Sequence, residues 1–140
     1  MNLLQTKVKA FHDAYGLGDP PGPMIPAPDV LQLRFHLIEE EAQEFREASE
    51  AGQLADAIKE LCDLLYVVLG AANAFGIDIE PFFDEVHRSN MTKLWPGGDV
   101  RKNAIGKVVK PPTYLPADIE RILDAMRRLS LLESKAKDPQ

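Results

Sequence analysis

Five carboxylates stand where a helical sequence would normally place apolar side chains. Glu40, Glu41 and Glu44 fall within the stripe set by Val30, Leu33, Leu37 and Phe45, and Glu60 and Asp63 sit among Leu61, Leu64, Leu65, Val67 and Val68. Burying an unpaired carboxylate costs several kcal/mol, so such groups are normally paired, protonated or bound to a metal. From His36 to Asp63 nine carboxylates face only Arg46 and Lys59, too few bases to pair them all. The spacing sharpens the point, because a helical hairpin turning at Gly52 brings residues equally far before and after it to the same height. Glu44 and Glu60 are each eight residues from Gly52, and Glu41 and Asp63 are each eleven. The i, i+3 pair of one helix thus meets the i, i+3 pair of the other, and four carboxylates converge. A cluster of oxygen donors without His or Cys suits hard divalent cations, Mg²⁺ or Mn²⁺, better than zinc or copper.

The elements needed to hold this cluster are legible. Leu4, Val8, Phe11 and Tyr15 recur at helical spacing, Asn2 with Gln5 has the form of a capping box, and Gly16 and Gly18 supply a stop, which predicts a helix over 3–15. Five prolines between Asp19 and Pro28 hold a stiff loop. Asp29 with Gln32 is a second capping signature and opens a helix over 30–50. A central helix over 53–75 follows, its core stripe formed by Leu54, Ile58, Leu61, Leu65, Val68 and Ala72, with Cys62 expected as a small buried apolar residue. Gly76 ends it, and Pro81 fits the first turn of a fourth helix that stops at Trp95-Pro96-Gly97-Gly98. Residues 95–115 read as irregular or as a short hairpin reversing over 103–106, and an amphipathic helix over 116–132 closes the pattern, with a frayed tail beyond Ser134. The expectation is all-α, a four- to five-helix bundle forming one domain over 1–140.

Composition excludes several classes. An apolar fraction of 45% and a charged fraction of 27% are ordinary for a globular chain and argue against wholesale disorder. A single cysteine and an amino terminus without an apolar signal core favour the cytoplasm, and the longest apolar run, interrupted by Asp63, is too short to span a membrane. A net charge of −6 disfavours nucleic-acid binding. The charge is uneven, though: from Val86 to Lys110, Arg88, Lys93, Arg101, Lys102, Lys107 and Lys110 face Asp99 alone.

Glu40-Glu41-Ala42-Gln43-Glu44 followed by Glu60-Leu61-Cys62-Asp63 resembles the EExxE and ExxD motifs of the all-α nucleoside triphosphate pyrophosphatases, which include MazG-like proteins, helical dUTPases and phosphoribosyl-ATP pyrophosphohydrolase. His87-Arg88-Ser89-Asn90-Met91-Thr92-Lys93 resembles the segment that follows in the MazG-like and dUTPase-like members, and the resemblance covers roughly residues 30–120. It implies hydrolysis of a nucleoside triphosphate between the α and β phosphates, with Mg²⁺ (or Mn²⁺) held by Glu41, Glu44, Glu60 and Asp63. Glu40, at the edge of the stripe, is the choice for orienting or deprotonating the attacking water, with a supporting or third-metal role as the alternative.

The basic segment offers the other half of a phosphate site. Asn90 and Lys93 are one helical turn apart, with Arg88, Lys107 and Lys110 as weaker candidates. His12, His36, His87, Trp95 and Tyr114 read as packing or surface residues. The substrate expected is dUTP, dCTP or a damaged nucleotide; phosphoribosyl-ATP is the lesser option, and a non-catalytic, metal-binding helical interaction module is the alternative class. The apolar third helix needs more cover than a short chain supplies, so a homodimer or homotetramer is expected.

Overall fold

The computed structural model describes residues 1–137, with side chains to residue 133. The described residues form α1 (Leu3–Ala14), α2 (Pro28–Glu50), α3 (Leu54–Ala74), α4 (Ile79–Met91) and α5 (Ile119–Lys137), and contain no strand beyond one isolated bridge. The all-α expectation holds. The chain divides into two compact units, Met1–Ile79 and Glu80–Gln140.

In the first unit α2 and α3 form a hairpin, and α1 packs on α3. The turn is a Schellman motif: Gly52 N donates to Ser49 O (3.1 Å) and Gln53 N to Ala48 O (3.0 Å), satisfying carbonyls that the helix end leaves open. This requires the left-handed φ of +69° that Gly52 adopts. The pivot about which the carboxylates mirror is therefore fixed by one residue. Gly76 ends α3 in the same way, and a side chain there would also run into the carbonyl of Gly22 in the proline-rich loop, which is tied down by Met24 N donating to Phe75 O at 3.0 Å.

Two of the expected caps take other forms. Asn2 does cap α1, its Oδ1 accepting from Gln5 N at 2.9 Å. Gln5 does not reciprocate, because its fully buried amide is used elsewhere: Nε2 donates to Asn73 Oδ1 (2.9 Å) and Ile77 O (2.7 Å), and Oε1 accepts from Ile79 N (3.0 Å). One side chain thus fastens α1 to the end of α3, and a buried amide so satisfied outweighs a local capping bond. α2 begins two residues earlier than expected, with Pro28 in its first turn and no side-chain cap, so Asp29 lies inside the helix.

The larger departure is α3. Its expected core stripe is mostly on the surface, with Leu54, Ile58, Leu61, Leu65 and Val68 between 40 and 74% exposed, while Leu69, Gly70, Ala72 and Asn73 are buried. Cys62 is exposed as well. Because α3 is apolar nearly all round, periodicity does not say which side packs within the chain.

In the second unit, α4 buries Phe82, Glu85 and Ser89 on one face. Glu85 accepts from Arg88 Nε (2.8 Å), Arg88 Nη2 (2.7 Å) and Asp118 N (2.8 Å). Ser89 Oγ donates to Leu115 O at 2.9 Å, and Thr92 Oγ1 accepts from Leu115 N at 2.9 Å. These bonds fasten residues 115–118 to α4. The expected hairpin is reduced to a Lys102–Val108 antiparallel bridge, with Asn103 Oδ1 accepting from the amides of Ile105 and Lys107 across the turn. The last helix runs to Lys137, past the expected fraying point at Ser134; residues 138–140 lie outside the described residues.

Candidate metal centre

The hairpin brings together three of the four mirrored carboxylates, and Glu44 lies outside that group. One oxygen each of Glu41, Glu60 and Asp63 lies within 4.8 Å of the others, and all three side chains are half-buried. Glu41 Oε2 is enclosed with no hydrogen-bond partner among the described residues. An acceptor-only oxygen left bare in this way is costly unless something positive reaches it.

The electrostatics point the same way. Burial, followed by the charges of Asp63, Glu44 and Glu60, raises the Glu41 carboxyl above the usual range. Glu44 is raised first by the charge of Glu60 and then by burial and a hydrogen bond shared with Glu60, which couples it to one member of the group. Lys59 is the nearest counter-charge and one the sequence reading did not place at the site. Its Nζ lies 2.8 Å from Asp63 Oδ2 and 3.0 Å from Glu60 Oε1, and those two hydrogen bonds push its pKa up. A glutamate and an aspartate flanking a lysine at i+1 and i+4 would have signalled this. Lys59 is exposed on a flexible stem, so it balances charge without sealing the site. Four carboxylates, a bare buried oxygen and no nitrogen or sulfur donor fit a hard divalent cation.

Glu40 stands apart. Its side chain is 48% exposed and its Oε2 lies 4.0 Å from His36 Nε2, outside the three-carboxylate group. Among the basic candidates, Lys93 Nζ donates to Asn90 Oδ1 at 2.6 Å, so that pair does come together. Arg88 is committed to Glu85 and to Pro116 O (3.1 Å), and Lys110 Nζ sits 4.4 Å over the Tyr114 ring. Trp95 is held by Arg101 at 3.7 Å over its ring and by its Nε1 donating to Val109 O.

The family model described as phosphoribosyl-ATP pyrophosphohydrolase matches residues 8–90, from α1 through both acidic motifs to Asn90 in α4. The chain belongs to this family, within the all-α MazG-like pyrophosphatases, and is a pyrophosphohydrolase. Comparison with curated proteins gives no match. Among the described residues no single helix is long and apolar enough to cross a membrane.

Proposed function

We propose that the protein is a Mg²⁺-dependent nucleotide pyrophosphohydrolase that cleaves between the α and β phosphates, giving a nucleoside monophosphate and pyrophosphate. The observation that carries this reading is the convergence of Glu41, Glu60 and Asp63 around an unpartnered buried oxygen, on the positions of the two acidic motifs. A divalent cation bound there supplies neutralisation of the phosphate oxygens and lowers the pKa of the attacking water. Glu41, Glu60 and Asp63 would hold it, and Glu44, hydrogen-bonded to Glu60, would complete the acidic wall. Glu40, adjacent in sequence to Glu41 and exposed to solvent, would be the residue to accept the proton of the attacking water. Lys93, whose Nζ donates to Asn90 Oδ1, carries a point charge of the kind that suits a phosphate.

The family match supports phosphoribosyl-ATP as substrate. A second reading, dUTP or another deoxynucleotide, is supported by the segment His87–Lys93 and its resemblance to the MazG-like and dUTPase-like branch. The exposed stripe of α3 supports a homodimer or homotetramer in which that face is covered. Phosphorus NMR of the reaction products tests the chemistry: monophosphate with pyrophosphate supports α–β cleavage, whereas a diphosphate with inorganic phosphate contradicts it.

A further inference from the structure

α1 docks through one face, on which Gln5, Val8 and His12 are all buried. Gln5 is fastened by its bonds to Asn73, Ile77 and Ile79. His12, at the other end of that face, is 5% exposed, and its side chain makes no hydrogen bond or ion pair among the described residues. Beside it on α2 lies Arg34, 7% exposed, likewise without a partner among the described residues and with its Nε fully enclosed. Arg34 and Gly70 are each eighteen residues from Gly52, so the hairpin sets them at the same height. A Cβ on Gly70 would lie 3.2 Å from His12 Nε2 and 3.3 Å from Arg34 Nη1, so the missing side chain is what admits both end groups to one space.

Two groups able to carry positive charge thus share an interior site, and no carboxylate bonds to either. An enclosed guanidinium without a partner is already costly, and a second cation beside it adds like-charge repulsion. A neutral imidazole avoids that repulsion and keeps an acceptor nitrogen, whereas the imidazolium carries only donors. The other charged groups around His12 are Lys9 and Asp13 on α1 and Asp19 in the loop, and Lys9 Nζ engages the two acids at 2.8 and 2.7 Å. α3 contributes Tyr66, Val67 and Gly70 to the surrounding walls, none of them charged at neutral pH. Burial first, and then the charge of Arg34, hold the His12 pKa below its ordinary 6.5 against the pull of Asp13 and Asp19. Cavities of about 230 and 260 Å³ adjoin the pair, so the packing around it leaves room to open.

We propose that His12 and Arg34 form an acid-sensitive latch: α1 stays docked on the α2–α3 hairpin while His12 is neutral and is released when His12 takes a proton beside Arg34. Phe11 and His12 are walls of the larger cavity, so release opens that side of the hairpin. A histidine whose folded pKa is depressed leaves stability intact above about 6.5 and withdraws it as pH falls below that value. The raised carboxyls of Glu41 and Glu44 act in the opposite sense, since the folded state binds their protons more readily, and Glu85 gives up its contribution only below about 4.5. A loss of docking that begins below about 6.5 therefore belongs to His12.

Amide hydrogen exchange on the full chain in EDTA, at about pH 7.5 and about pH 5.5 and corrected for the intrinsic pH dependence, tests the latch without any nucleotide. The α1 amides should lose about threefold to tenfold of their protection at the lower pH, one unit below the free imidazole, while those flanking Gly52 in α2 and α3 keep theirs. The loss should vanish in His12→Gln, which stays neutral, and shrink in Arg34→Met. On the wild type alone, the His12 imidazole followed by NMR should titrate below 6.5, with a midpoint that coincides with the loss of α1 protection, which decides the matter even if both variants fail to fold. Equal α1 protection at the two pH values, α1, α2 and α3 opening together, a His12 that titrates at or above 6.5, or an acid step that persists in His12→Gln overturns the proposal.

Discussion

Replacing Glu41 by Gln should stabilise the metal-free protein while abolishing its response to Mg²⁺. Glu41 faces Asp63 and Glu60 with oxygens within 4.8 Å, and at that distance each like-charged pair costs about 3.5 kcal/mol at an effective dielectric of about 20 and under about 1 kcal/mol in bulk water. Lys59 offsets part of this repulsion, and Asp63, 39% exposed, lies nearer the aqueous limit. A net relief of about 1–2 kcal/mol remains, a rise in melting temperature of about 3–8 °C in EDTA for a chain of this size. With Mg²⁺ the order reverses: the wild type gains stability as the cation binds the folded state, about 2.7 kcal/mol at a hundredfold excess over Kd, and the variant gains little. Differential scanning calorimetry of both proteins with EDTA and with Mg²⁺ reads this crossing directly. A variant less stable than the wild type in EDTA would refute the reasoning, because the cluster would then be a hydrogen-bonded structural element and not an assembly awaiting a cation.

Three further outcomes follow from other parts of the molecule. Glu85, held to about 2 by its hydrogen bonds from Arg88 and Asp118 N, contributes stability that is full above its ordinary pKa of about 4.5 and is lost as pH falls toward about 2. The stability gap between wild type and Glu85→Gln in urea melts should therefore be widest near neutrality and close across that window; a pH-independent gap would contradict the assignment. Gly52→Ala and Gly76→Ala each impose a left-handed conformation costing about 1–2 kcal/mol, but only at Gly76 does the new methyl meet the Gly22 carbonyl, so its loss should reach about 3 kcal/mol or more. Equal losses in denaturant titrations would show that the proline-rich loop yields freely. Ile58→Lys, on the exposed stripe of α3, should lower the mass measured by light scattering from an oligomer to a monomer; an unchanged mass would place the interface elsewhere.

The helices were readable because their ends carry glycine signals and their apolar residues keep a 3.6-residue rhythm. The carboxylate cluster was readable because symmetry about Gly52 converts sequence spacing into height. The same counting pairs Arg34 with Gly70, yet an arginine near the start of a polar helix looks like surface, and only its burial beneath α1 reveals it. Gln5 shows a different limit, since its local pattern advertises a capping box and its long-range bonds to Asn73 and Ile77 win. The α3 stripe was legible as apolar but not as exposed, because a helix apolar on every side carries no mark of which face packs within the chain. Glu85 sits on α4 like any surface acid until the return of residues 115–118 closes over it, a contact between segments about thirty residues apart that no local pattern encodes.

The most direct test of the central claim is pyrophosphate release from a panel containing phosphoribosyl-ATP and the ribo- and deoxynucleoside triphosphates, run with Mg²⁺, with EDTA, and with Glu41→Gln. Mg²⁺-dependent release of pyrophosphate with a monophosphate, absent in EDTA and in the variant, is the result predicted. Release that survives EDTA or Glu41→Gln, or silence across the whole panel, would contradict it.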